Sequence, residues 1–127
     1  MQPAPVNNSV QNLMRSSYKS GLFSEFIARM FLRLRGYSIL ESRYVTGRYT
    51  GRAEIDIIAR DKNTIIFIEV KNRADAATGI RAVSHTQHER LRRAAKTYLA
   101  RRRWTGDARF DIMVVRGFRV QWFKNAV

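Results

Sequence analysis

The segment Thr64-Ile65-Ile66-Phe67-Ile68-Glu69-Val70-Lys71 constrains this chain more than any other part of it. A β-branched, apolar run of this length is the pattern of a buried strand, yet it ends on a carboxylate and an ammonium two positions apart. Alternation along a strand puts Glu69 and Lys71 on the face of Ile65 and Phe67. Charged groups are rarely buried without partners, so this pair needs a reason to be there. A second apolar run, Ala53-Glu54-Ile55-Asp56-Ile57-Ile58-Ala59, carries Asp56 at its centre. The short interval between the two runs implies an antiparallel hairpin.

Strand parity then limits the geometry. Asp56 faces Glu69 only in a register such as 56 opposite 69. That register requires a turn of two or four residues, Lys62-Asn63 or Asp61 to Thr64. An odd-length turn sends the two acids to opposite faces unless a bulge restores the register. If they meet, their oxygens are the hard ligands that Mg²⁺ or Mn²⁺ prefers. Such an ion acidifies water and neutralises phosphoryl charge, and Lys71 is placed to orient the water or to stabilise the phosphorane. A structural Glu–Lys or Asp–Lys pair on a solvated edge strand has the same spacing. Glu54 shares the expected face of Asp56 and either assists it or pairs with an arginine.

Composition bears on what such a site would act upon. The 127 residues suffice for one domain with a real core, and 45% of them are hydrophobic. Lys and Arg number 24 against 10 Asp and Glu, a formal charge of +14. That excess favours a polyanion, and together with the strand acids it favours nucleic acid over a membrane surface. The absence of cysteine excludes disulfides, thiolate zinc sites and cysteine nucleophiles. No stretch approaches the ~20 apolar residues of a membrane span, and the first residues lack the apolar core of a signal peptide. The expected location is the cytoplasm.

Along the chain, residues 1–19 read as a mobile leader, with both prolines and a short helical stretch near Val10 to Met14. Residues 20–127 read as a single domain. Gly21 to Arg35 has helical periodicity with Gly36 as its stop, and Tyr37 to Val45 reads as a first strand. Arg73 to Val83 reads as a loop. From Thr86 or His88 to Arg103, Leu91, Ala94, Ala95, Tyr98 and Leu99 mark one apolar helical face, with Gly106 just beyond. Arg109 to Val115 and Arg119 to Phe123 read as two more strands around an Arg116-Gly117-Phe118 turn. The order αβββαββ describes an α/β domain with one mixed sheet flanked by helices. The arginines and lysine of the second helix, Arg92, Arg93 and Lys96 among them, form a solvated face dense enough for phosphate contact. His85 and His88 read as solvated, and Tyr44, Tyr49, Trp104 and Trp122 read first as core.

Asp56 followed by Glu69-x-Lys71 resembles the signature of the PD-(D/E)XK nuclease superfamily. Ala53 to Ala59, Phe67-Ile68-Glu69-Val70-Lys71-Asn72-Arg73 and Arg109-Phe110-Asp111 together resemble the small bacterial YraN-like family of predicted endonucleases, from about Gly21 to the C-terminus. The resemblance implies a restriction-endonuclease-like αβββαβ core and divalent-metal-dependent hydrolysis of phosphodiester bonds, with DNA favoured over RNA. It implies Asp56 and Glu69 as ligands of Mg²⁺ or Mn²⁺, Lys71 as the catalytic lysine, and Glu25 as a further acid from the first helix. An i, i+4 pair with Arg29 explains Glu25 equally well. Arg73, Gln87, Arg92, Arg93 and Lys96 are the expected nucleic-acid contacts. The chain departs from the family pattern at Ala53, where glycine is usual, at Arg43-Tyr44-Val45, where Asn-Tyr-Arg is common, and at Gln87-His88, where a lysine precedes the glutamine. The alternative is a nucleic-acid-binding module that keeps the fold and does not cleave. Many nucleases of this superfamily are dimers, so a homodimer is compatible.

Overall fold

The structure, a computed structural model, describes residues 8–47, 52–72 and 85–126, with side chains within 21–47, 52–72 and 88–126. The expectations for Tyr49, Arg73 and the 73–83 loop fall outside the described residues, as does the side chain of Gln87. Helix α1 (Asn8–Leu34) is followed by strands β1 (Ser38–Thr46), β2 (Ala53–Asp61) and β3 (Thr64–Asn72). Helix α2 (His85–Arg101) and strands β4 (Asp107–Arg116) and β5 (Arg119–Phe123) complete the chain. The five strands form one sheet in sequence order, antiparallel throughout except between β3 and β4. This is the mixed α/β arrangement of a restriction-endonuclease-like core.

The two apolar faces of the central strands explain the layering. Ile57, Ala59, Ile66, Ile68, Met113 and Val115 pack beneath Ile27, Ala28 and Leu32 of α1. Ile58, Ile65 and Phe67 face the other way, beneath Leu91, Ala94, Ala95 and Tyr98 of α2. Ile57 to Ala59 of β2 and Ile65 to Ile68 of β3 are apolar at every position because both of their faces are covered. Among the described residues no helix is long and apolar enough to cross a membrane.

Both helices end in the same way. Tyr37 N–H donates to the Leu32 carbonyl and Gly36 N–H to that of Arg33, each at 3.0 Å, with Gly36 at φ 87°. This is a Schellman cap, which needs a left-handed residue. In α2 that place is taken by Arg103, at φ 52°, with Trp104 N–H bonded to the Leu99 carbonyl. Gly106, just beyond α2, has a steric duty. It passes so close to Asn63 that an added Cβ would overlap the Asn63 carbonyl oxygen. Asp107 N–H bonds that same oxygen at 2.7 Å, which seats the β2–β3 turn against the start of β4. Helix α1 begins at Asn8, well before the Gly21 expected from periodicity.

Candidate active site at the β2–β3 mouth

The β2–β3 turn is the two-residue one, Lys62-Asn63, with Lys62 at φ 50°. Its paired ladder runs from Asp61–Thr64 to Ile57–Ile68, and the next step of that register sets Asp56 opposite Glu69. There the backbone ladder stops. The Asp56 carboxylate instead accepts the Val70 N–H at 2.8 Å, so this side chain lies in the gap between the strands. Glu69 and Lys71 follow the alternation of Ile65 and Phe67, while Val70 packs with the core under α1.

Simple alternation fails in β2, which corrects the face expected for Glu54. Ile55 belongs to the core under α2 together with Ile58, whereas Ile57 belongs to the core under α1. The strand therefore changes face across Asp56. The neighbouring strand is distorted at the same level: Arg43 sits between the Ser42–Ile57 and Tyr44–Ile55 pairs in the left-handed region, at φ 53°. A further irregularity lies between Ile39 and Glu41. Such distortions re-aim side chains at the edge of a sheet. Glu54 is exposed and acts on Asp56 through its charge.

The distortion also brings α1 into the site. Glu25 is buried, and its Oε2 accepts Arg43 Nε at 2.8 Å. The i, i+4 pairing with Arg29 is thus replaced by a bond to the distorted strand. Lys71 Nζ lies 3.0 Å from Glu69 Oε1, and both side chains are about one-fifth exposed. Glu69 Oε2 is buried with no hydrogen-bond partner. Asp56 is pushed from the usual 3.8 to about 7. Burial is the largest cause, opposed by the Val70 N–H bond and reinforced by the charges of Glu25, Glu69 and Glu54. The mouth is therefore an acidic cluster with less positive compensation than it needs.

Among the described residues no group of three or more His, Asp or Glu is disposed to hold a metal ion. The donors present are two carboxylates, Asp56 and Glu69, with the unpartnered Glu69 Oε2 available. That set fits Mg²⁺, which is ordinarily held by one or two carboxylates while water and phosphate fill the remaining positions.

Arg92, Arg93 and Lys96 are exposed on α2. Arg93 lines a cleft with Arg90, Thr46, Ala53 and Thr97, close to the start of β2. Arg92 and Lys96 rim an apolar depression floored by Phe67, Ala95 and Phe110. Of the aromatic residues read as core, Tyr44 and Trp104 have structural duties. Tyr44 packs edge-on against Tyr98 at 5.3 Å, and Trp104 Nε1 donates to the Asp107 carbonyl.

Within Arg109-Phe110-Asp111, sequence reasoning assigned no role to the acid. Asp111 is fully buried and accepts from Arg109 Nε, from Trp122 Nε1 at 2.7 Å and from the Asn125 N–H at 2.9 Å. It ties β5 and the C-terminal turn to the sheet. An acid at a strand position flanked by apolar residues was the signal available for it.

Residues 24–115 match the profile of the family described as Uncharacterised protein family UPF0102. The chain is 34% identical over 122 residues to a UPF0102 protein of Paramagnetospirillum magneticum, covering 94% of this chain and 92% of that one. It is 42% identical over 106 residues to one from Agrobacterium fabrum, with coverages of 82% and 84%. A UPF0102 protein of Shewanella pealeana is 33% identical over 117 residues and is covered over 99% of its length.

Proposed function

The chain belongs to the family UPF0102, the YraN family, and we propose that it is a divalent-metal-dependent nuclease hydrolysing phosphodiester bonds in nucleic acid, DNA in preference to RNA. The observation that carries this reading is the buried, unpartnered Glu69 Oε2 at the mouth that also holds Asp56, whose carboxyl is raised to about 7. Two carboxylates left short of positive charge are a cation site in waiting.

Asp56 and Glu69 would hold Mg²⁺ or Mn²⁺. The ion, when bound, supplies Lewis-acid chemistry toward a phosphoryl oxygen and lowers the pKa of water. The chain's own groups do the rest. The Asp56–Val70 bond fixes one carboxylate in the strand gap. Lys71 keeps one donor on Glu69 and has two more for the phosphate, whose charge grows as the water oxygen bonds to phosphorus and the ester P–O bond breaks. Glu25, held by Arg43, adds negative potential at Asp56 and strengthens its demand for a cation. Arg92, Arg93 and Lys96 hold phosphates away from the reacting one.

A second reading, a binding module that does not cleave, is favoured by one observation: no third acidic ligand stands with Asp56 and Glu69 among the described residues. Labelled linear, single-stranded, flapped and junction substrates separate the two. The nuclease reading expects scission with Mg²⁺ or Mn²⁺ and none in EDTA. Binding without scission under every condition selects the module.

A further inference from the structure

The β4–β5 hairpin ends in a two-residue turn, Gly117-Phe118, with Gly117 at φ 58°. Glycine at the first turn position suits that backbone. The second position is usually polar, yet here it is a phenylalanine, 83% exposed. The closing pair of the ladder is Arg116 opposite Arg119. Like charges directly opposite each other repel, and neither arginine has an acidic partner among the described residues. Phe23 of α1 supports the Phe118 ring edge-on, with ring centroids 5.9 Å apart. The tip thus presents a braced aromatic ring between two guanidinium groups that have no acidic partner among the described residues.

The parallel register locates this tip. Lys71 lies beside Val114 and Asn72 beside Val115, so Arg116 is one residue further along the same edge. With strands ~4.8 Å apart and ~3.3 Å of rise per residue, the Arg116 Cα is about 8 Å from that of Lys71. Phe23, which supports the tip, is two positions from Glu25, which reaches the opposite side of the mouth through Arg43.

We propose that the β4–β5 tip is a substrate-positioning element for nucleic acid with unpaired bases. Phe118 stacks on an exposed base near the scissile phosphate, and Arg116 and Arg119 take the flanking phosphates. An unpaired base offers a free π-face, which a ring can engage without unstacking a duplex. Proximity to a scissile phosphate rests on the nuclease reading; the binding itself is tested apart from it.

The test measures binding in EDTA, where no cleavage is needed, with single-stranded and duplex oligonucleotides carrying 2-aminopurine. Expected for Phe118→Ala is about a tenfold weaker hold on the single strand, within the range of one base stack removed, with loss of the fluorescence quench and duplex affinity changed less than twofold. Phe118→Trp should keep both affinity and quench. Arg116→Ala and Arg119→Ala should each lower the single-strand salt slope by about 0.7. Unchanged single-strand binding in Phe118→Ala overturns the proposal. So does an equal loss on duplex, a shift in sedimentation that assigns the tip to self-association, or a loss confined to phosphatidylserine vesicles. Divalent-dependent scission that persists while these binding changes are absent leaves the nuclease reading standing and removes the tip from it. The binding changes without any scission do the reverse.

Discussion

The Asp56 carboxylate accepts the Val70 N–H at 2.8 Å in the step of β2–β3 where backbone pairing ceases. A side chain thereby takes the place of a main-chain acceptor. That one bond opens the hairpin mouth and holds an acid within it, next to Glu69. A single N–H does not offset the desolvation of the carboxylate or the three neighbouring acids, and its pKa remains near 7.

That imbalance sets a pH dependence. The unfolded acid releases its proton near 3.8 and the folded one near 7. Between those values the folded state binds the proton that the unfolded state has lost, so metal-free stability should fall as pH rises from about 4 to about 7 and level off above. At about 1.4 kcal/mol per unit the ceiling is roughly 4 kcal/mol, reduced by solvent at this half-buried site. Asp56→Asn, which still accepts from Val70, should flatten the profile and be the more stable protein at pH 8. Urea unfolding across pH checks this. An unchanged profile would remove Asp56 as its source.

Proton release should accompany metal binding. Below pH 7, Mn²⁺ affinity should fall about tenfold per pH unit, because the ion must displace a proton from Asp56. Above pH 7 it should be flat. Calorimetric titration in buffers of different ionisation enthalpy reads the released proton directly.

Asp111→Ala should be severe for a different reason. It strips Arg109, Trp122 and the Asn125 N–H of a fully buried common acceptor. Breaking a buried pair of this kind costs about 3–5 kcal/mol. Denaturation midpoints should drop accordingly. In contrast, Glu69→Gln should alter stability little while abolishing Mn²⁺ binding, which would separate the structural acid from the functional one.

The basic helix should act through charge alone. Replacing Arg92, Arg93 and Lys96 with alanine should lower the slope of log affinity against log salt by about 0.9 for each duplex DNA phosphate no longer neutralised. Sequence preference should not change. A weakening that depends on base sequence at constant salt slope would contradict it.

The strand register at the site was legible because the turn between the two apolar runs is short. A two-residue turn at Lys62-Asn63 leaves one register, and that register sets Asp56 opposite Glu69. Two-sided burial was legible in the unbroken apolar run of β3. The change of face across Asp56 was not, because it goes with a distortion in another strand, where Arg43 adopts a left-handed backbone that no local pattern announces. The Glu25–Arg43 bond was hidden for the same reason, since helical spacing offered Arg29 first. Asp111 gathers partners from β5 and the turn after it, a convergence set by tertiary packing. Gly106 was placed just beyond the second helix, but its steric role comes from the approach of Asn63, which is distant in sequence.

If Asp56, Glu69 and Lys71 form one divalent-dependent hydrolytic site, each of them and the metal must be needed for the same step. The deciding experiment is the single-turnover scission rate of a labelled single-stranded or flapped DNA in Mg²⁺, Mn²⁺ and EDTA, for the native protein and for Asp56→Asn, Glu69→Gln and Lys71→Ala. Scission is expected only with the metals and should fall at least about a hundredfold in each variant, as for removal of one group that stabilises the transition state, with DNA binding retained. Equal rates in EDTA, or variants as fast as the native protein, would contradict it.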